Sequence, residues 1–305
     1  MAAELPRDDA ASHWKIVALS SAVRGEPKAV RCDQADHVLF RDEAGRLHAL
    51  ADRCAHRRAP LSLGKIIPGG IIECPYHGWR YDGTGACVAI PNLVEGDRIP
   101  RTYRVAAAQV IERDGFVHLN AVPDAGALPA RPDDWTDIEA VEEVEQLVAY
   151  PADQLLDVIL EAPGAFLAPR GARILDDMPF GDPDLSTDAI RVEYAVEGLR
   201  RRPTAKVVGD FPLRISISAA LHANMIDIAI GGHDDVPVAC ARLAITAVTP
   251  GLSVVHLRSA PGVWEGRPLG IGLLAHPDAA GVARIKPYAS ILRRSHAARE
   301  EGAAA

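Results

Sequence analysis

Cys54-Ala55-His56-Arg57-Arg58-Ala59-Pro60 and Cys74-Pro75-Tyr76-His77-Gly78-Trp79, with 17 residues between His56 and Cys74, decide how this chain is read. Each segment is a hook that pairs one cysteine with one histidine. Together they offer two thiolates and two imidazoles, a donor set with two well-known uses. A structural zinc ion takes four such ligands on one tetrahedral centre, but its hooks usually keep like with like, as in Cys-x-x-Cys. A two-iron, two-sulfide cluster takes them in pairs, and mixed hooks suit that arrangement: Cys54 and Cys74 on one iron, His56 and His77 on the other. The flanking residues place both hooks on loops. Pro60 follows the first, while Pro75, Gly78 and then Asp82-Gly83-Thr84-Gly85 punctuate the second; such residues fix turns and so hold ligands still.

Residues 40–92, from Phe40-Arg41-Asp42 through Asp52-Arg53-Cys54-Ala55-His56 and Ala59-Pro60-Leu61 to Tyr76-His77-Gly78-Trp79-Arg80-Tyr81-Asp82, resemble the Rieske domain of the ring-hydroxylating and demethylating Rieske non-heme iron oxygenases, the vanillate demethylase type above all. The resemblance implies one [2Fe-2S] cluster per chain, held by Cys54, His56, Cys74 and His77. A respiratory Rieske protein carries a further cysteine in each loop, joined as a disulfide. Ala59 and Tyr76 stand at those places here, so the low-potential end of the roughly −150 to +300 mV Rieske range is expected.

Length and pattern predict two domains in an α+β chain. At 305 residues there is chain for about two domains of roughly 100–200 residues each. Short alternating segments (14–19, 37–41, 47–50, 71–74 and 115–119) predict an all-β domain over 1–122. Residues 123–136, rich in Pro, Ala and Asp, read as a linker. Residues 137–293 open with a predicted helix over 153–167 and continue in half-buried strands at 189–196, 213–219 and 241–248. By the resemblance this second domain is a helix-grip fold, an antiparallel sheet curved around a helix; residues 294–305 are read as a tail. The five cysteines do not suggest a disulfide framework, since Cys32, Cys87 and Cys240 lie singly, as free thiols of a reducing cytoplasm would. The polar start and the lack of a long apolar run predict a cytoplasmic protein with no membrane partner. A net charge of −8 argues against nucleic acid, and Leu199-Arg200-Arg201-Arg202-Pro203 reads as a solvated strand end.

The second domain departs from the family where chemistry would reside. The resemblance implies a mononuclear iron bound by two histidines and a carboxylate, with open positions for oxygen. The corresponding segment is Asp157-Val158-Ile159-Leu160-Glu161-Ala162-Pro163-Gly164-Ala165-Phe166-Leu167-Ala168-Pro169. Gly164 takes the first histidine's place and Ala168 or Pro169 the second's, and none of them binds a metal. No histidine occurs between His118 and His222. His222, His233, His256 and His276 are the candidates to rebuild a site through the fold. Asp157 and Glu161 compete for the place of the aspartate that links cluster and iron between oxygenase subunits, Glu161 otherwise reading as a helix-surface carboxylate.

Three functions are consistent with these residues. The expected one is an electron-carrying, non-catalytic Rieske subunit beside a complete oxygenase subunit, in a mixed trimer or hexamer that takes a small hydrophobic or aromatic substrate. The second is a monooxygenase or demethylase with a rearranged iron site, and the third an electron carrier fused to a small-molecule binding domain. No Gly-x-Gly-x-x-Gly stands between a strand and a helix, so electrons are expected from an external ferredoxin or flavin reductase.

Overall fold

The computed structural model describes residues 14–32, 34–93, 97–122, 126–128, 135, 138–139, 142–185, 189–198, 213–220, 225–232 and 236–282. By backbone contacts the chain divides into two units, Met1–Arg131 with Thr246–Val248 and Pro132–Ile245 with Thr249–Ala305. His222, His233, the basic run at 199–203 and the 294–305 tail lie outside the described residues.

Among its described residues the first unit is built from strands and two single 3-10 turns, Ser20–Ala22 and Leu61–Leu63. The strands are β1 (Lys15–Leu19), β2 (Lys28–Cys32), β3 (Ala35–Arg41), β4 (Leu47–Ala51), β5 (Lys65–Ile67), β6 (Ile71–Glu73), β7 (Arg80–Tyr81), β8 (Cys87–Ala89), β9 (Ala107–Arg113) and β10 (Phe116–Asn120). Six form one sheet in the order β1-β10-β9-β4-β3-β2, and β5-β6-β7-β8 form a second sheet of four. The small sheet positions both hooks. The first lies on the connection from β4 to β5. The second is the hairpin loop between β6 and β7, whose register sets Glu73 against Arg80 and Ile72 against Tyr81. Gly64 allows the close approach of the first connection to β6, since a Cβ there would stand 2.1 Å from the Glu73 carbonyl oxygen.

The second unit is a sheet with a helix laid on it. Its elements are β11 (Glu142–Val148), α1 (Ala152–Glu161), β12 (Leu167–Arg170), β13 (Ala172–Pro179), β14 (Asp184–Leu185), β15 (Ala189–Gly198), β16 (Leu213–Ala220), β17 (Met225–Gly231), β18 (Pro237–Thr249), β19 (Leu252–Ala260), β20 (Gly262–Trp264), β21 (Arg267–Leu273) and the short α2 (Ala279–Val282). The main sheet runs β11-β19-β18-β17-β16-β15-β13, with β14 also on β15; β12, β21 and β20 make a smaller one. Strict alternation explains the core face: Ile190, Val192, Tyr194 and Val196, then Leu213, Ile215 and Ile217, then Ile226, Ile228 and Ile230. Leu155, Val158 and Ile159 of α1 are spaced to share one helical face and enter the same core. The opposite sheet face carries Arg191, Glu193, Arg214, Ser216, Ser218 and Asp227.

The predicted helix over 153–167 stops early, at Glu161. Ala162 leaves helical backbone (φ −147°, ψ 64°) ahead of Pro163, because a residue before proline is disfavoured in the helical region. A single 3-10 turn at 163–165 follows, and the chain then enters β12. Gly164 and Ala168 are therefore not one turn apart on a helix.

Candidate metal centre

The two hooks fold into matching loops. In the first, the Cys54 N–H donates to Ala59 O (2.9 Å) and the Arg58 N–H to Cys54 O (2.9 Å). In the second, the Cys74 N–H donates to Trp79 O (2.8 Å) and the Gly78 N–H to Cys74 O (3.1 Å). The fifth residue of each loop is left-handed: Arg58 at φ 58° and Gly78 at φ 68°. Glycine adopts this backbone without strain and arginine does not, so the first loop is held there from outside. Asp52 does part of that, as it accepts the Ser62 N–H (2.7 Å) and the Ser62 hydroxyl (2.5 Å) and thereby cinches the loop's two ends.

The loops sort their donors by environment. Cys54 and Cys74 are buried, packed with Leu61, Ile72, Tyr81 and Cys87. Burial, and behind it the neighbouring Cys54, pushes the Cys74 thiol above its usual pKa; a metal cation would reverse this by binding the thiolates. His56 and His77 face outward with ring centroids 4.8 Å apart. The His56 ring lies flat on Trp79 (4.8 Å, 4° between planes), and Tyr76 packs on His77 at 3.9 Å. Partial loss of water, then His77 and Arg57, holds the His56 imidazole below its usual pKa, which favours the neutral ring that binds metals. The sulfur pair is thus rooted in the core and the imidazole pair sits at the surface. Such a division fits two irons with separate ligand pairs. Among the described residues no three Cys, His, Asp or Glu side chains gather around a single-ion position.

Tyr81 is the candidate residue that motif reading passes over. It is fully buried on β7, and its hydroxyl is 3.1 Å from Cys54 Sγ while it accepts the Ala55 N–H at 3.1 Å. Burial and the nearby Cys54 raise its pKa far above that of a free phenol. The proton therefore stays on oxygen, and with Cys54 as a thiolate ligand the hydroxyl donates to sulfur. Its place at the end of the strand that leaves the second hook, one residue before Asp82, was the available signal. Cys87, read from sequence as a scattered thiol, belongs to this same buried group.

In the second unit the structure does not gather an iron site from the described candidates. Gly164 donates its N–H to Asp176 Oδ1 (2.7 Å). A Cβ on Gly164 would meet the two Asp176 carboxylate oxygens at 2.9 and 3.0 Å. Ala168 and Pro169 are paired with Gly272 and Ile271 in the β12–β21 ladder. His256 is buried and opposes Glu145 across strands, Nδ1 to Oε1 3.2 Å. Its neighbours Val255 and Leu257 enter the core with α1, so His256 lies on the sheet's other face. His276 is exposed beyond β21. Asp157 is half-buried, and Glu161 is buried at the end of α1, which corrects its reading as a surface carboxylate: α1 turns this face inward to the sheet.

Comparison with known proteins agrees with the first unit. Residues 13–108 match the Rieske [2Fe-2S] domain family. The 4beta-methylsterol monooxygenase of Methylococcus capsulatus is 39% identical over 128 residues, 40% of this chain and 34% of that protein. The oxygenase component of dicamba O-demethylase from Stenotrophomonas maltophilia is 37% identical over 120 residues, 38% of this chain and 34% of that protein. These matches span about a third of each relative's length. The crystal structure of dicamba monooxygenase with non-heme iron and dicamba superposes with a TM-score of 0.61 at 23% identity, covering 82% of this chain and 76% of that one, a likeness of fold that includes the second unit. No helix among the described residues is long and apolar enough to cross a membrane. With its paired hooks the first unit belongs to the Rieske [2Fe-2S] domain family, and the chain as a whole is similar in fold to the dicamba monooxygenase structure.

Proposed function

We propose that Cys54, His56, Cys74 and His77 hold the [2Fe-2S] cluster and that the chain serves as an electron-carrying, non-catalytic subunit beside a complete oxygenase subunit. When bound, the cluster supplies reversible one-electron chemistry. The protein supplies the rest. Cys54 and Cys74 anchor it in a dry core, Tyr81 keeps a proton aimed at one sulfur, and His56 and His77 bring the ligand set to the surface where a partner docks. The external electron donor, the mixed ring with a catalytic subunit and the cytoplasmic location belong to the same proposal. That Cys32, Cys87 and Cys240, the cysteines outside the cluster hooks, form no disulfide supports a reducing compartment.

The observation that carries the non-catalytic reading is the contact between Gly164 and Asp176. Where the family pattern places an iron-binding imidazole, this chain has no side chain, and a carboxylate closes the space that a Cβ would need. An oxygen-activating iron needs its protein ligands and open positions together.

A single-turnover experiment tests the proposal. The cluster-loaded, reduced chain is exposed to oxygen with a panel of aromatic, N-methyl and O-methyl compounds, alone and with a complete oxygenase subunit. Product is expected only in the mixture. Stoichiometric product from the isolated chain would refute the non-catalytic role, and His222 and His233 would then be the first histidines to replace.

A further inference from the structure

Short side chains leave a hollow in the main sheet of the second unit, on the face opposite α1. Cross-strand register sets Ser216 beside Ala229, Arg214 beside Gly231, and Ser218 between Arg191 and Asp227. Side chains stand upright from a sheet, so Ser216, Ala229 and Gly231 form a low floor among the taller Arg191, Arg214 and Trp135. The cavity they enclose has a volume of about 190 Å³. A void of about 150 Å³ holds a benzene-sized molecule, and one water takes about 30 Å³. The hollow therefore has room for a small organic molecule, and a single inorganic ion would leave much of it unfilled.

The groups around the hollow select an anion rich in oxygen. Arg191 and Arg214 share one carboxylate, Glu193, at 3.1 and 3.4 Å, so two cations less one anion leave a charge of +1. Asp227, the acid in the wall, is paired with Arg242 at 2.9 Å and adds no net charge. That local excess stands in a chain whose net charge is −8. Trp135 supplies an independent observation. It lines the hollow and is only 4% exposed, with the Arg242 guanidinium over its ring, yet its buried indole N–H has no acceptor among the described residues. An indole nitrogen only donates, and a buried donor left without a partner is costly. A ligand oxygen would satisfy it.

We propose that this hollow binds a small hydroxylated carboxylate, no larger than a substituted six-membered ring. Its carboxylate is drawn by Arg191 and Arg214, whose planar forks match that group. Its other oxygens are met by the hydroxyls of Ser216 and Ser218 and by the Trp135 N–H. The site is independent of the cluster and of the role proposed for the chain.

Calorimetric titration of the cluster-loaded chain tests this, with malate, gluconate and quinate as probes, their methyl esters as uncharged counterparts and inorganic phosphate as the ion control. At least one of the three acids should bind at millimolar concentration, and its ester about tenfold or more weakly, because the ester loses the charged hydrogen bonds. Arg214→Gln should weaken binding about tenfold, Trp135→Phe several-fold, and Ser216→Leu, which fills the floor, should abolish it. Arg173→Gln, an exposed member of a surface pair with Glu197, should bind as the wild type does. Thermal unfolding checks that each variant is folded; if Ser216→Leu is not, the acid and ester on wild type, together with Trp135→Phe, carry the decision. Failure of all three acids to bind would overturn the inference, as would equal affinity for acid and ester. Binding that persists in folded Ser216→Leu, or is unchanged in Trp135→Phe, would place the ligand elsewhere and overturn it too. Phosphate binding as tightly as the acids would show an ion site only, which also overturns it.

Discussion

Replacing Tyr81 with phenylalanine removes one oxygen atom and two interactions. The hydroxyl accepts the Ala55 N–H and lies 3.1 Å from Cys54 Sγ. Phenylalanine keeps the ring that fills the core beside Leu61 and Ile72, so packing is retained. The stability cost should be about 1 kcal/mol, the usual net worth of a hydrogen bond, because the exposed Ala55 amide can turn to water. The larger consequence concerns the potential. A donor to a ligand sulfur stabilises the reduced, more electron-rich cluster more than the oxidised one. If that preference is about 1–1.5 kcal/mol, within the range for hydrogen bonds to charged groups, its loss lowers a one-electron potential by roughly 40–60 mV, at 59 mV per tenfold change. The assay is a redox titration of Tyr81→Phe and wild type under the same conditions, with iron content confirming equal loading. An unchanged or raised potential in a fully loaded variant would refute the reasoning.

Other expected outcomes follow from buried charge and backbone strain. His118 is buried and its imidazole is held down to about 4, chiefly by burial and then by Arg113. Its folded pKa lies below the unfolded value of about 6.5, so the unfolded chain takes up the proton first as pH falls. The stability it confers is complete above about pH 6.5 and is lost towards pH 4, amounting to about 3 kcal/mol; urea unfolding of His118→Leu should lose that part of the pH dependence, and identical pH profiles would contradict it. Gly78→Ala should cost about 1–2 kcal/mol in thermal unfolding, because φ is positive and the new Cβ meets Pro91 Cγ at 3.0 Å, whereas Arg58→Gly should be neutral or slightly stabilising. Arg242 is buried, paired with Asp227 at 2.9 Å and set 5.1 Å from the Trp135 ring centroid. Arg242→Ala should destabilise the chain by about 3–5 kcal/mol in chemical denaturation, and a loss under 1 kcal/mol would show the pair to be unimportant.

The hooks were legible because metal ligation demands residue types at short spacings, and the loops that carry them are built locally. The matched closure of the two loops was not, since Arg58 carries no sequence mark of a left-handed backbone and only Gly78 does. Tyr81 needed the β6–β7 register before it could be placed under Cys54. Strands with strict apolar alternation, such as β15 and β16, were visible, but β2 (Lys-Ala-Val-Arg-Cys) and β9 (Ala-Ala-Gln-Val-Ile-Glu-Arg) carry too many polar residues to show it. Periodicity carried the helix past its end because the apolar residues of the 3-10 turn and β12 continue the pattern, while Pro163 ends the helix through backbone sterics. Missing histidines were plain in the sequence; that Asp176 closes the space at Gly164 was not, since Asp176 lies twelve residues on, in β13.

The most direct test of the account is a count of iron and acid-labile sulfide in the purified, reconstituted wild-type chain, with the electron paramagnetic spectrum of the reduced protein. The account predicts two irons and two sulfides per chain and the signal of a mixed Cys/His cluster, with both lost in Cys54→Ser. A third, mononuclear iron per chain, or a protein that takes up no iron and sulfide, would contradict it.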